Sequence, residues 1–380
     1  MDGDFSWLRL WENELASTLN GACTLCCATE VTSDITEQEA KTMKAMTLAA
    51  PGGLDNLQLS ELPDPGNPGY GEIRVAIHAT SLNYHDLMVA DGTMPTADQR
   101  IMMADGAGVV EAVGDGVTEF KVGDHVVSCF FPQWQDGAPS DTVGDFSLTP
   151  GDGTQGFAAE YVVRPATHFT LAPTGWSHAE AATITTAGLT AWRALVGDAA
   201  IKAGDTVLTL GTGGVSVTAL QIAKAMGARV IMTSSSDEKL ARARELGADE
   251  VINYRSQPDW GKTVQELTHG RGADIVIEVG GPGTLTQSIS AVRVGGHIAL
   301  IGVLTGVEGN IPTSAMMARQ ARLQGLIVGS RRQQLDFVNA LNQTGIRPVI
   351  SDRFSSLAEL PQAFRHQQNG AHFGKIVVEW

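Results

Sequence analysis

Cysteine is scarce in this chain. Its 380 residues include 4 cysteines. Cys23, Cys26 and Cys27 crowd into one N-terminal cluster and Cys129 stands alone, so no disulfide framework is implied. The CTLCC run has a CxxC spacing, but no second ligand pair lies nearby and no strand precedes it, and a metal or redox role is not expected there. Basic residues are also few: 26 Lys and Arg face 42 Asp and Glu, for a net charge of −16. Such a chain repels phosphate backbones, which argues against nucleic acid as a partner. No apolar run reaches the roughly eighteen residues of a membrane span. The opening MDGDFSWLRLWENELAS lacks a basic n-region and a continuous apolar stretch, and does not read as a secretory signal. The expectation is a cytoplasmic protein with no membrane and no nucleic-acid partner.

What is present is glycine, 43 residues of it, in a chain that is 43% hydrophobic. The length suits two domains. Residues 1–42 carry eight acids against Arg9 and Lys41 with no clear period, and read as an N-terminal extension, disordered or packed as a short helix. From 43 to about 165 short β-like runs dominate: MKAMTL, IRVAIHAT, GAGVVEAV and HVVSCF, separated by PDPGNPG, DGV and KVGD turn signals. A long polar, glycine-rich loop fills 131–156, and loops of that length are usually functional or mobile. From about 200 the pattern becomes βα. DTVLTL, ARVIMT, DEVINY, ADIVIEV and HIALIG are apolar without alternation, as buried parallel strands are. Helical patterns lie between them, which predicts a doubly wound parallel sheet. Two more helices and a final strand, GKIVVEW, are expected in the tail.

The chemistry-bearing motif is GTGGVS: Gly211, Thr212, Gly213, Gly214, Val215 and Ser216. It follows one buried strand and opens an amphipathic helix, the place where a pyrophosphate meets a helix N-terminus. Gly211 permits the tight turn and Gly213 a close backbone approach. Ser216 stands where a third glycine is usual. After the next strand, where an acid would hold the adenosine ribose, the chain has Ser234 and Ser235, then Asp237 and Lys239. Serine hydroxyls and a lysine suit a 2′-phosphate, so NADP(H) is expected over NAD(H), with Asp237 the reason NAD(H) stays open.

The order of these motifs, with INYR after the third strand and the C-terminal GKIVV, resembles the medium-chain dehydrogenase/reductase superfamily over about 43–380. Within it the chain is similar to the zinc-independent, quinone-oxidoreductase-like and zinc-type alcohol dehydrogenase-like branch. The resemblance implies an α/β protein: a Rossmann doubly wound parallel sheet over 169–331, and a GroES-like β-rich catalytic domain from 43–168 with 332–380. It also implies a homodimer, with LQGLIVGS (323–330) as the edge strand that pairs with its copy. Where zinc-dependent relatives carry three ligands, this chain has Asn83, Ala104 (followed by Asp105) and Thr186. None suits zinc, and 131–156 has no cysteine for a structural zinc lobe. No metal is expected.

Without a metal, charge formed on the substrate must be met by hydrogen-bond donors or by conjugation. The expected activity is NADP(H)-dependent reduction of a quinone, enone or related activated carbonyl. A zinc-free alcohol dehydrogenase or ketone reductase, and an NADPH-binding protein with little turnover, are the alternatives. Tyr84 beside the altered ligand position either donates a proton or packs its ring under the cofactor. Asn83 either orients the substrate carbonyl or holds the nicotinamide ribose. His85 is a third candidate, and Asp86 a structural acceptor. Thr186 and Thr190 are expected at the nicotinamide, and Trp134 in the long loop as a wall of the substrate pocket. Met94, in DGTMP, takes the place where some relatives keep a tyrosine, which weakens an enoyl-thioester reductase reading. Asn253 and Tyr254 belong at the adenine end. Gly280 with Gly281, and Gly302 with Val303, end strands that line the crevice. Ser330, Arg331, Phe373 and Lys375 are expected to close its far side.

Overall fold

A computed structural model describes residues 41–380. The CTLCC cluster and the extension before Lys41 lie outside the described residues. The first part of the chain forms β1 (Thr42–Leu48), β2 (Leu57–Pro63), β3 (Glu72–Ser81), α1 (Tyr84–Ala90), β4 (Arg100–Ile101), β5 (Ala107–Val113), β6 (His125–Ser128), β7 (Tyr161–Pro165) and β8 (Phe169–Leu171). β1 pairs with β2 and β4 in a small antiparallel sheet, and β3 pairs with β5 and β7. Ile73, Val75, Ile77, Val110 and Val126 share one core with Phe157 and Phe169.

A helical passage follows: α2 (His178–Ala182), then α3 (Leu189–Trp192) between two wide π turns, Ile184–Gly188 and Arg193–Asp198. The βα units come next: β9 (Thr206–Thr209), α4 (Gly214–Ala225), β10 (Arg229–Ser234), α5 (Asp237–Glu245), β11 (Glu250–Asn253), α6 (Trp260–Leu267), β12 (Ala273–Glu278), α7 (Pro282–Ala291), β13 (Val292–Leu300), α8 (Thr313–Arg319) and β14 (Arg322–Gly325). Their strands run parallel in the order β11-β10-β9-β12-β13-β14. The strand order reverses at β9, which has β10 on one side and β12 on the other, and such a switch point opens a crevice at the C-terminal ends of the strands. β9 and β12 are buried at every position, as strands covered by helices on both faces must be.

The chain then closes with α9 (Arg331–Thr344), β15 (Ile350–Phe354), α10 (Leu360–Gln368) and β16 (Lys375–Glu379). β16 pairs antiparallel with β3, so the C-terminus completes the seven-stranded sheet begun 300 residues earlier in the chain. Immediately before β16, Gly374 N–H donates to the Thr212 carbonyl at 2.9 Å, and Gly213 and Gly374 form an isolated bridge. The same short segment therefore crosses the glycine loop and enters the other sheet.

Two local features differ from the sequence pattern. The run LQGLIVGS is strand only as far as Gly325, at the edge of the parallel sheet. Val328 turns the chain with φ 46°, and Arg193 Nη1 holds the carbonyls of Ile327 and Val328 at 3.2 and 3.3 Å. The long loop 131–156 is packed rather than open: Gly156 and Phe157 donate to the carbonyls of Ile101 and Met103. Gly151, at φ 81°, lies so close to β4's exit that a Cβ there would sit 2.7 Å from Met103 N. Among the described residues no helix is long and apolar enough to cross a membrane.

Candidate active site

The glycine loop leaves β9 and opens α4. Gly211 takes φ 71°, and neither Gly211 nor Gly213 has anything within 4 Å of where a Cβ would be. Gly213 caps α4 with no side-chain partner, so the first-turn N–H groups face the open space that a pyrophosphate needs. The residues present fit a dinucleotide. Ser216 replaces the third glycine without crowding, because its hydroxyl turns back to the Leu210 carbonyl at 2.6 Å. Gly214 has a different reason to be glycine. A Cβ there would lie 2.5 Å from Lys375 Cδ and 3.2 Å from Ala187 Cβ, so the bare backbone makes way for the lysine stem.

At the adenosine end Ser234 closes β10, buried, and its Oγ accepts from Ser236 N–H at 3.3 Å. Ser235 is partly exposed beside it. Lys239 Nζ donates to the Gly370 carbonyl at 2.6 Å; burial and the neighbouring Arg242 lower its pKa. Asp237, which could have reached a ribose, instead accepts from Asn253 Nδ2 at 2.7 Å. Tyr254 is 41% exposed. Gly280 and Gly281 N–H donate to the buried Glu278 carboxylate at 2.8 and 3.0 Å. Gly302 lies against the Val279 carbonyl, and Val303 follows it half-exposed.

Three residues expected at the far side are engaged elsewhere. Ser330 caps α9 by accepting from Gln333 N–H. Arg331 reaches across to β8, donating to the Phe169 carbonyl at 2.9 Å and pairing with Glu119. Phe373 is fully buried in the core, with the Arg242 guanidinium 4.4 Å above its ring. The backbone of Gly374 and the side chain of Lys375 are what meet the glycine loop.

Lys375 leads from that loop into a buried polar cluster. Its Nζ donates to Leu82 O and to Asn83 Oδ1, each at 2.6 Å, and stands 3.8 Å from Asp105 Oδ2. Asn83 Nδ2 donates to Asp105 Oδ2 at 2.9 Å and Asp86 Oδ2 at 3.0 Å. Thr186 Oγ1 donates to Asp105 Oδ1 at 2.6 Å, and Ser81 Oγ to Asp105 Oδ2 at 2.5 Å. Asp86 closes the first turn of α1 by accepting from Asn83 N–H, and holds Ala104 N–H at 3.0 Å. Asp105 is fully buried. Burial lifts its carboxyl to about 6, against the opposing pull of Lys375. The same burial lowers the pKa of Lys375, which Asp105 and Asp86 oppose. Asn83 and Thr186 are thus brought together, but both point at Asp105. The expected role of Asn83 as a substrate donor is not what its geometry supports: its amide hydrogens are already engaged. Thr190 Oγ1 likewise bonds to the Thr186 carbonyl one turn back, at 2.7 Å.

Beside this cluster is an apolar wall. Ala104, Phe130, Phe131, Trp134, Leu189 and Val328 pack together, with Phe146 against them. Trp134 is buried, anchored by Nε1 to the Gly137 carbonyl at 3.1 Å and lying 5.0 Å from the Arg193 guanidinium. It packs into this apolar cluster. His85 is the polar side chain here: its ring stacks on Phe146 at 4.9 Å and meets Phe130 edge-on at 5.4 Å. Tyr84 is 44% exposed on the first turn of α1. Met94 packs instead on the core of β1 and α1, with its N–H bonded to the Met88 carbonyl, because the turn after α1 folds back onto β1. Among the described residues, no group of three or more His, Cys, Asp or Glu is placed to hold a metal ion. Sequence reasoning missed Asp152, Phe130 and Phe146, and the link from Lys375 to Asn83. The first three sit in or beside a loop without periodicity, and the fourth joins residues at opposite ends of the chain.

Comparison with known proteins agrees with both sheets. An "Alcohol dehydrogenase GroES-like domain" model matches residues 69–174, and a "Zinc-binding dehydrogenase" model matches residues 214–343. A "Zinc-type alcohol dehydrogenase-like protein" from Schizosaccharomyces pombe is 40% identical over 336 residues, covering 86% of this chain and 96% of that protein. A solved "NAD-dependent alcohol dehydrogenase" is 36% identical with a TM-score of 0.80, over 89% of this chain and 100% of the other. The crotonyl-CoA carboxylase/reductase AntE, solved in complex with NADP, is 25% identical with a TM-score of 0.78, over 89% and 95% of the two chains.

Proposed function

Since the chain belongs to the medium-chain dehydrogenase/reductase superfamily, in its zinc-type alcohol dehydrogenase-like group, we propose that it is an NADP(H)-dependent oxidoreductase that reduces a quinone, enone or related activated carbonyl without zinc. The observation that carries the reading is the Lys375–Asn83–Asp105–Thr186 cluster. The residues at two of the three expected ligand positions are an amide and a hydroxyl turned onto a carboxylate, and the third, Ala104, offers a methyl group. That donor set does not fit a catalytic zinc, which takes Cys, His or carboxylate ligands.

A bound nicotinamide dinucleotide supplies the hydride. The chain's own residues bind and orient it. The N–H groups at the start of α4 would receive the pyrophosphate, with the Lys375 stem packed behind Gly214. Ser234 ends β10, Ser235 follows it and Lys239 lies in the first turn of α5, while Asp237 is tied to Asn253; hydroxyls and an ammonium in this place favour the 2′-phosphate of NADP(H). The wall of Phe130, Phe131, Trp134 and Leu189 keeps water out and suits a flat, conjugated acceptor. A conjugated acceptor spreads the charge that a metal would otherwise meet. The similarity to AntE, a crotonyl-CoA carboxylase/reductase solved with NADP, supports NADP(H) as the cofactor. The "NAD-dependent alcohol dehydrogenase" neighbour supports the second reading, a zinc-free ketone reductase. The exposed β14 edge, with Ile311, Met317 and Ile327 near it in sequence and exposed, supports a homodimer through that edge. We place the protein in the cytoplasm with a small-molecule substrate.

The test is initial rates with NADPH and NADH against a panel of quinones and enones and a panel of ketones and alcohols. The proposal expects quinones or enones with NADPH to be preferred at least tenfold. Preference for ketones overturns the acceptor assignment. A Lys239→Ala variant whose KM for NADPH does not rise overturns the cofactor assignment.

A further inference from the structure

His85 and Asp152 lie outside the Asn83 cluster, and neither has a part in it. His85 Nε2 is 3.1 Å from Asp152 Oδ2. An ionised carboxylate has no hydrogen to give, so the hydrogen in this bond sits on Nε2. The other ring nitrogen, Nδ1, is buried and has no hydrogen-bond partner among the described residues. An imidazole edge is therefore oriented, stripped of water and left with one unsatisfied nitrogen, beside Phe130 and Phe146. Asp152 is itself held: Thr96 Oγ1 donates to its carbonyl at 2.6 Å, and the preceding Gly151 is pressed against Met103. The charged and titratable groups around the pair are few. Asp86, next on α1, is committed to Asn83 and Ala104, Tyr84 is exposed, and Arg100 acts on Asp152 at longer range. The rings that face the imidazole are neutral.

We propose that His85 is the proton donor of the reduction and that Asp152 is its positioning residue. This rests on reading the site as a carbonyl-acceptor reductase. As the acceptor carbon receives two electrons with its hydride, the electron pair of the conjugated bond moves onto the carbonyl oxygen. The Nδ1–H bond of protonated His85 breaks, its electron pair stays on nitrogen, and an O–H bond forms on the substrate. His85 is left neutral with Nε2–H still held by Asp152, and Nδ1 is reprotonated from solvent when the product leaves the site. In the reverse direction the bare Nδ1 accepts the alcohol or enol proton, so one tautomer serves both directions. The triad logic of an acid–base imidazole oriented by a carboxylate applies without a nucleophile.

The test uses the full chain with NADPH bound and the variants Asp152→Asn, Asp152→Glu and His85→Ala. General acid–base catalysis contributes about 10²–10⁴-fold, so Asp152→Asn lowers kcat by about 10²-fold and enlarges the solvent isotope effect, while KM for NADPH is unchanged. Asp152→Glu recovers part of the rate, and added imidazole partly rescues His85→Ala. Independently of turnover, ¹⁵N NMR of labelled histidines finds the His85 hydrogen on Nε2 in the unaltered chain, and loses that signature in Asp152→Asn. A His85 hydrogen on Nδ1 alone, or an Asp152→Asn variant with unaltered kcat and isotope effect, overturns the proposal. If the unaltered chain reduces nothing on either panel, the reductase reading fails, and the NMR result alone then upholds or overturns the pairing.

Discussion

Lys375→Met removes the ammonium from the centre of the buried cluster and keeps most of the stem. Three acceptors lose their partner: the Leu82 carbonyl, Asn83 Oδ1 and, at 3.8 Å, the Asp105 carboxylate. Each charge-assisted hydrogen bond contributes about 1.5–3 kcal/mol. Deleting one member of a buried charged pair costs about 3–5 kcal/mol, because the other is left uncompensated. For a cooperative unit of this size that is a fall of about 4–7 °C in melting temperature. The loss also depends on pH, with a determinable sign. In the folded protein Asp105 is raised to about 6, above the roughly 3.9 of an unfolded aspartate. A raised carboxyl binds its proton better when folded, so its contribution is fully present below about pH 4 and is lost as pH rises through 6. Lys375 is the main influence holding that value down. Without it the carboxyl titrates higher still, and the loss continues past pH 6 at about 1.4 kcal/mol per unit. Thermal unfolding of both proteins at pH 5 and pH 8 is the assay. The variant is expected to be destabilised at both, and more at pH 8 by about 2 kcal/mol; adding Asp105→Asn removes the excess. An equal melting temperature at pH 8, or a loss independent of pH, refutes the reasoning.

Gly214→Ala puts a Cβ 2.5 Å from Lys375 Cδ, and overpacking of that kind costs about 1–3 kcal/mol; the penalty measured by melting shrinks in a Lys375→Ala background, where the stem is gone. Ser234→Asp places an acid at the buried end of β10, and kcat/KM for NADPH relative to NADH falls at least tenfold in paired rate measurements. Burial drives His168, His178, His297 and His372 down to about 4. Their unfolded counterparts titrate near 6.5, so the unfolded chain takes up protons first. Stability from these groups is present above about pH 6.5 and is lost as pH falls toward 4, which a pH series of urea midpoints detects; replacing His297 with Gln reduces the slope.

The parallel sheet was readable because its central strands are mostly apolar without alternation and its helices are not: TVLT and ADIVIE are buried throughout, whereas DEKLARARELG alternates with a helical period. The glycine loop was readable for the same reason, since it sits between one of each. The function of Gly214 was not, because the atom that requires it to be glycine belongs to a lysine 161 positions later. Asp105 was seen only as a residue beside a lost ligand. Its four partners come from β3, the α1 cap, the π turn before α3 and β16, and no local pattern joins these. The ends of the crevice were misread where a polar residue had a nearer partner: Ser330 caps its own helix, and Arg331 meets the Phe169 carbonyl. The π turns around α3 carry no distinct residue signature, and β15 is too short and mixed in its burial to stand out.

The central claim is that this active site works without a metal ion, with two of its ligand positions, Asn83 and Thr186, tied up by Asp105 and Lys375 and the third occupied by Ala104. Metal analysis of the full chain, paired with activity before and after exhaustive chelation, tests it most directly. The account predicts far less than one zinc per chain and an unaltered rate with NADPH. One zinc per chain, with activity lost on chelation and restored by zinc alone, would contradict it.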